Sequence, residues 1–337
     1  MINISKCLSD NLLTTIMSYM NGQGIKIIDS LTEVLNDNDS SFTDVADFLK
    51  GKIPNFTLID LLFNIGLDVQ KAGNNNLSKE IFEIVLSECG DDDKYIDYAA
   101  SSNLELGKIY ASRFLWKESL LKISAANEIF LREKNYQKSF YCESLCGLIF
   151  EELGGYLNAR RHYINCLNLI NMKTDNEKMG FVFSNLGILE FFQNNLENAI
   201  SNFRRAEIYY RKVPNNNKIV EIKYNLSLLY ILIKDFNNAF REIEDAIYNS
   251  EYKKHITSPE NIYVNKVKLF LEKNDFSFTI PMIHNNIDIY GKHASSDLFE
   301  YIYQLKTAIS GNVSSILNEV TPNYNIAQSD INPVTII

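Results

Sequence analysis

The sequence predicts an all-α protein, a solenoid of stacked helix hairpins, and three observations carry that reading. Four segments repeat at a constant offset of 40 residues, and a fifth precedes them at an offset of 41. Within each segment apolar residues recur at i, i+3, i+4 and i+7, the period of a helix with one buried face. Short polar breaks split every segment into two helices, and longer polar joints separate one segment from the next.

The register of the repeat is set by small residues. The first helices carry Ile65-Gly66, Leu106-Gly107, Cys146-Gly147, Leu186-Gly187 and Leu226-Ser227. Twelve residues after each small residue come Ser78, Ser119, Ala159, Ala199 and Ala239, and four further on Phe82, Ile123, Tyr163, Phe203 and Ile243. Three further again stand Val85, Ala126, Cys166, Ala206 and Ala246. A small residue on the first helix lets the second approach at the short end of the usual helix spacing, and the large residue fills the space between pairs. Val267, Thr279 and Ile283 continue the columns as a weaker sixth unit. Gly154-Gly155 and Gln193-Asn194-Asn195 are the turns inside pairs; Met172–Glu177 and Pro214–Asn217 are joints between them.

These columns resemble the tetratricopeptide repeat (TPR), with Leu-Gly-x-x-Tyr on the first helix and Ala-x-x-x-Phe-x-x-Ala on the second. Leu106, Gly107 and Tyr110, and then Ala199, Phe203 and Ala206, are the best matches; Gly154 and Tyr156 match the turn. The likeness covers roughly residues 57–290 and departs from the family in its period of 40 and in lacking the first-column Trp. It implies a right-handed α-solenoid of TPR-like helix hairpins whose first helices line a concave groove. Bacterial sensors of short signalling peptides, of the Rap and PlcR type, share the roughly 40-residue unit, a looser likeness of period and style.

Stacked hairpins need closing elements, because no unit buries its apolar stripe alone. The chain divides into 1–55, an N-terminal helical cap or small bundle; 56–290, the repeats, five clear and one degenerate; 291–320, capping helices; and 321–337, an irregular tail. In the first segment Asn11–Met20, Ile25–Leu35 and Phe42–Lys50 read as helices. The peptide-sensor likeness implies a helix-turn-helix or a phosphatase-type bundle there. The only cations are Lys6, Lys26, Lys50 and Lys52, a poor set for phosphate contacts, and a plain cap is favoured.

The family likeness places ligand contacts two and five to six residues before the small residue, and one, four and five after it. Two before it stand Asn64, Glu105, Leu145, Asn185, Asn225 and Asn265. A carboxamide donates and accepts at once, so Asn64, Asn185, Asn225 and Asn265 suit the main chain of an extended peptide. Ser184 and Tyr224 precede two of these, and Ile188, Phe191, Phe192, Leu228, Ile231 and Leu232 predict an apolar, aromatic patch beside them. The sequence is rich in Asn, so solvated surface Asn is the competing reading.

Other functions find little support. With 33 Lys+Arg against 42 Asp+Glu the net charge is −9, which gives nucleic acid no cationic footprint. No signal segment or membrane-length apolar run is visible, and five sparse cysteines fit a reducing cytoplasm. Four histidines have no metal-ligand spacing, and Cys142, Cys146 and Cys166 read as packing. Arg160-Arg161 and Arg204-Arg205 read as solvated charge on second helices, and Asp91-Asp92-Asp93 as a cap. No cofactor motif or catalytic signature is present. The expected function is a cytoplasmic, bacterial, non-enzymatic module that holds a protein or linear peptide, with homo-oligomers compatible. The alternatives are an enzyme regulator or Rap-like phosphatase acting through residues 1–55 (Gln23 and Glu33 being the groups to check), and a structural subunit of a larger complex.

Overall fold

The computed structural model describes residues 42–170, 174–214 and 218–252. Among these, eleven α-helices account for the architecture and no strand occurs beyond an isolated bridge between Lys50 and Ile53. Helix α1 (Phe42–Leu49) is followed by hairpins α2 (Asn55–Lys71) with α3 (Asn75–Cys89), α4 (Ile96–Ala111) with α5 (Trp116–Arg132), and α6 (Tyr136–Glu152) with α7 (Tyr156–Leu169). These form one compact unit. A second unit holds hairpins α8 (Asn176–Phe192) with α9 (Leu196–Tyr210), and α10 (Lys218–Leu232) with α11 (Phe236–Tyr252). The first two N-terminal helices expected from sequence, the sixth hairpin, the capping helices and the tail lie outside the described residues.

The forty-residue cadence reappears in the backbone. One residue in each hairpin turn has positive φ: Gly73 (84°), Phe114 (59°), Gly154 (69°), Asn194 (60°) and Lys234 (62°). The next amide then reaches back five residues, as in Gly155 N–H to Phe150 O (2.7 Å) and Asn195 N–H to Glu190 O (2.8 Å), which satisfies carbonyls orphaned by the helix end. The first bond of the second helix follows at once, for example Ala199 N–H to Asn195 O at 3.0 Å. Phe114 is a bulky residue in this conformation, 75% exposed, with its ring edge-on to Trp116 at 5.5 Å.

The small-residue columns pack as the sequence predicts. A methyl group added at Gly66, Gly107, Gly147 or Gly187 would lie 2.8, 2.5, 2.6 or 3.1 Å from Phe82, Ile123, Tyr163 or Phe203. The first helix therefore rests its bare backbone on the large residue of the second. Ser78 and Ser119 add a hydrogen bond, donating to Gly66 O (2.9 Å) and Gly107 O (2.7 Å); Ala159, Ala199 and Ala239 hold the same place without one. Asp92 accepts from the Lys94 amide at 2.9 Å, the capping role expected of the acidic run.

Two stacking joints hold a buried charged side chain at their centre. In the first unit Glu143 on α6 is buried and accepts from Asn127 on α5 (2.6 Å), and from Asn165 on α7 (3.0 Å), with His162 Nδ1 of α7 at 2.8 Å. Burial would push this carboxyl up, but the bonds from His162 and Asn165 outweigh it and hold it below its ordinary value. In the second unit Lys223 on α10 is buried against Glu207 of α9 (2.9 Å) and Glu242 and Asp245 of α11 (2.6 and 3.1 Å). Arg204 bonds Glu207 (2.8 Å), Tyr230 (3.3 Å) and Glu242; Arg211 bonds Glu207 at 2.7 Å. Burial opposes ionisation of Glu207, yet Lys223, Arg204 and Arg211 hold it down to about 2. This corrects the solvated reading of Arg204: the basic residue is drawn into a joint because a buried carboxylate without partners would be far more costly. Its neighbour Arg205 lies 3.8 Å over the Phe183 ring.

Glycine at two places can be separated by cause. Gly147→Ala collides with the Tyr163 ring and is expected to cost ~2 kcal/mol, although Ala normally favours a helix. Gly154→Ala meets nothing within 4 Å and is expected to cost ~1 kcal/mol through its φ of +69° alone. Urea unfolding of the two variants measures both; equal costs would remove close packing as the cause at Gly147.

Candidate functional site

The first helices of the second unit are apolar nearly all the way round. In α8 the run Asn185–Glu190 is wholly buried together with Met179, Val182 and Phe183. In α10 Val220, Ile222–Leu229 and Ile231 are buried. Their partners α9 and α11 instead bury one stripe, Ala199, Phe203, Ala206, Glu207 and Tyr210 in α9, because charged residues occupy the rest. A helix that buries residues around most of its circumference is one largely enclosed by its neighbours.

That enclosure changes the status of the apolar patch expected from sequence. Ile188, Leu228 and Ile231 are buried, and Ile231 packs into the hairpin with Ala239 and Ile243. Tyr224 is buried, Ser184 and Phe191 partly so, and only Phe192 (39%) and Leu232 (43%) are exposed. Phe191 meets Phe192 edge-on at 5.8 Å. The surface-exposed part of the patch is thus two residues at equivalent positions on the last turns of α8 and α10.

The carboxamides fall into three situations. Asn185 on α8 is buried and donates to Phe181 O, four residues back, at 2.9 Å. Asn225, its equivalent on α10, is 3% exposed, and its Oδ1 has no hydrogen-bond partner among the described residues. Asn64, in the first unit, is partly buried and donates to Asp60 O (2.8 Å) and to Asp60 Oδ1 (3.1 Å). Asn265 lies outside the described residues. Asn185 and Asn225 therefore share a unit and a column, and Asn64 belongs to a separate cluster.

The same column in the first unit has other chemistry. Glu105 pairs with Lys108 at 2.9 Å with both side chains largely buried, and Leu145 is part of the core with Cys142 and Ile149. Asp60 accepts from Tyr98 O–H at 2.7 Å. Four residues after Gly147, where the second unit has Phe191 and Ile231, stands Glu151, whose Oε2 accepts from the buried Tyr163 hydroxyl at 2.9 Å. Burial is the largest influence on Glu151 and pushes it up to about 7, against the lowering effect of the Tyr163 bond. The Asp60–Tyr98 and Glu151–Tyr163 contacts were not anticipated from sequence. Glu151 alone leaves a signal there, a charge in a column that elsewhere holds Gln70, Ala111, Phe191 and Ile231.

Among the described residues no group of three His, Cys, Asp or Glu side chains could hold a metal ion, and no helix is long and apolar enough to cross a membrane. Burial pushes the Cys146 and Cys166 thiols up to about 12, which leaves them protonated and inert, as packing residues.

No protein-family model and no curated protein sequence matches the chain. Solved structures do match in shape. The apo form of RapI aligns with a TM-score of 0.61 at 14% identity, over 94% of this chain and 94% of that one. Aspartyl phosphate phosphatase F from Bacillus subtilis aligns at 0.56 and 14%, over 94% and 91%. PilF from Pseudomonas aeruginosa aligns at 0.52 and 14%, over 72% and 96%. The chain has the fold these proteins share, an α-solenoid of TPR-like hairpins.

Glu151 supplies a stability test with a definite sign. Its folded carboxyl loses its proton near 7, against 4.5 ordinarily. The native state holds that proton over this window and the unfolded state does not, so stability falls as pH rises through it. Glu151→Gln is expected to exceed the wild type by ~2 kcal/mol at pH 8 and to match it near pH 5. Guanidinium unfolding at both pH values reads this; a constant difference across pH would place the burial cost elsewhere.

Proposed function

We propose that this chain is a binding module for an extended polypeptide, held in the second unit along the column of Asn185 and Asn225. The observation that carries the reading is the pair of buried carboxamides at one column of successive hairpins, with the Asn225 oxygen unpaired. A buried acceptor without a donor costs roughly 1–3 kcal/mol, a cost that an incoming main-chain N–H removes. Asn185 supports the same role: its amide is tied to Phe181 O, which turns the carboxamide and leaves its oxygen for a second N–H. Phe192 and Leu232 supply exposed apolar area for ligand side chains, and Ile188 and Leu228 back the carboxamides from within. Successive hairpins stack ~10 Å apart and an extended chain advances ~3.3 Å per residue, so the two rungs meet every third ligand residue.

A regulator that responds to peptide follows naturally from this reading, since ordering a groove by a ligand changes what the rest of a solenoid can contact. RapI and aspartyl phosphate phosphatase F, which share the fold over most of both chains, are consistent with such a use.

Linear heptapeptides selected on the full chain from a displayed random library provide the probe. Asn225→Ala is expected to weaken their binding about tenfold or more by calorimetry, and Asn185→Ala by a smaller factor. Asn64→Ala, in the separate cluster, leaves affinity unchanged. Selected peptides that bind the Asn185→Ala, Asn225→Ala double variant as tightly as the wild type would sink the proposal.

A further inference from the structure

The apolar columns cannot tell one hairpin from another. Each first helix offers a small residue and each second helix a large one, so the contacts of Gly66 with Phe82 and of Gly187 with Phe203 are interchangeable in kind. A repeat stack built on these alone could skip a hairpin or exchange one with another copy of the chain, the usual failure of repeat proteins.

The two polar joints break this equivalence, and they do so at equivalent positions. Asn127, Glu143, His162 and Asn165 become Glu207, Lys223, Glu242 and Asp245 when every number is raised by 80, which is two repeats. The central residue in both cases stands four before the small residue of its helix, Gly147 or Ser227. It meets two residues of its own second helix and one from the second helix of the hairpin before. In the first unit the centre is an anion ringed by Asn127, Asn165 and His162 at 2.6, 3.0 and 2.8 Å. In the second it is a cation ringed by Glu207, Glu242 and Asp245 at 2.9, 2.6 and 3.1 Å.

We infer that these two quartets are order locks of inverted polarity, which fix which hairpin stacks on which. Stacking α6 on α9 would set Glu143 against Glu207, two carboxylates in a buried place. Stacking α10 on α5 would remove Arg204 together with Glu207 and leave buried Glu242 and its neighbour Asp245 to share Lys223 alone. Both errors leave a buried charge opposed or under-paired, which is strongly unfavourable, whereas in either correct joint the central charge has its partners. The locks thus select by the cost of the wrong neighbour rather than by the strength of the right one.

The test uses the full chain with three variants. Asn127→Glu puts a second carboxylate against Glu143 and is expected to lower Tm by at least ~5 °C. The exchange Asn127→Glu, Glu143→Lys, His162→Glu, Asn165→Asp, made together with Ser124→Arg and Leu131→Arg at the places of Arg204 and Arg211, rebuilds the second unit's set in the first and is expected to recover at least half of that loss. It also makes the two joints alike, so light scattering after size exclusion, following refolding at rising protein concentration, should show more high-mass species than the wild type. Asn127→Gln, which keeps the donor, should change neither readout. An Asn127→Glu chain that melts with the wild type, an exchange variant no more stable than Asn127→Glu, or a recovered exchange variant with the wild-type mass distribution would each overturn the inference.

Discussion

Four of the five described hairpins depend on one close approach, the bare backbone of a first helix lying against a large side chain of the second. At Gly107 there is room for a hydrogen and none for a methyl, since a carbon there would sit 2.5 Å from Ile123. The constraint acts at both ends of the sequence-to-structure chain. It fixes the rotation of the first helix about its axis, because only the glycine face can be turned inward at that distance. With rotation fixed, every other column acquires a fixed environment, and residues forty apart fall into like places. Ser78 and Ser119 show how tight the place is: their hydroxyls reach the carbonyl of the very glycine they pack beside.

Rotation set by apolar contact leaves stacking order undetermined, and the polar joints fill that gap. Glu143 and Lys223 occupy one column with opposite charge, and each is enclosed by groups that suit it. Neither is a strong source of stability, since desolvating charges offsets most of their attraction. Their effect lies in the contrast between a satisfied joint and a mismatched one. Phe183 fills the same column on α8 with a ring instead, capped by Arg205 at 3.8 Å and stacked with Tyr209 at 5.7 Å.

The fold was legible because its constraint is written in residue size. Gly107, Gly147 and Gly187 recur at 40 with Ile123, Tyr163 and Phe203 in step behind them, and size survives in a sequence whatever the rotamer. The left-handed turn at Phe114 was not read from the sequence, because the residue's own chemistry argues against the conformation; only its register with Gly154 and Asn194 points to it. The joints were illegible for a different reason. Arg204 looks like any surface arginine until α9, α10 and α11 bring Glu207, Tyr230 and Glu242 round it, and sequence spacing within one helix does not report partners from two others. The apolar patch was half legible. Ile188, Phe191, Leu228 and Ile231 were read as a patch from their columns, but how much of a hydrophobic helix is enclosed depends on what lies over it, which no local pattern encodes.

Beside the small, large and joint columns, the positions two before and one and four after the small residue differ in character from hairpin to hairpin. The two units use them differently. In the first they hold Asn64 bound to Asp60, the Glu105–Lys108 pair and Glu151 bound to Tyr163, each group already matched within the unit. In the second they hold Asn185 with Ile188 and Asn225 with Leu228, a carboxamide against a buried aliphatic surface, and one of the carboxamide oxygens has no match. A polar set that satisfies itself has little to gain from a ligand, because each new bond must first break an old one. A buried unmatched acceptor has the opposite balance, since no bond within the protein is broken when a donor arrives and a desolvation cost already incurred is removed. On the function proposed above, the chemistry of these columns favours the second unit over the first as the place where a ligand's donor is accepted.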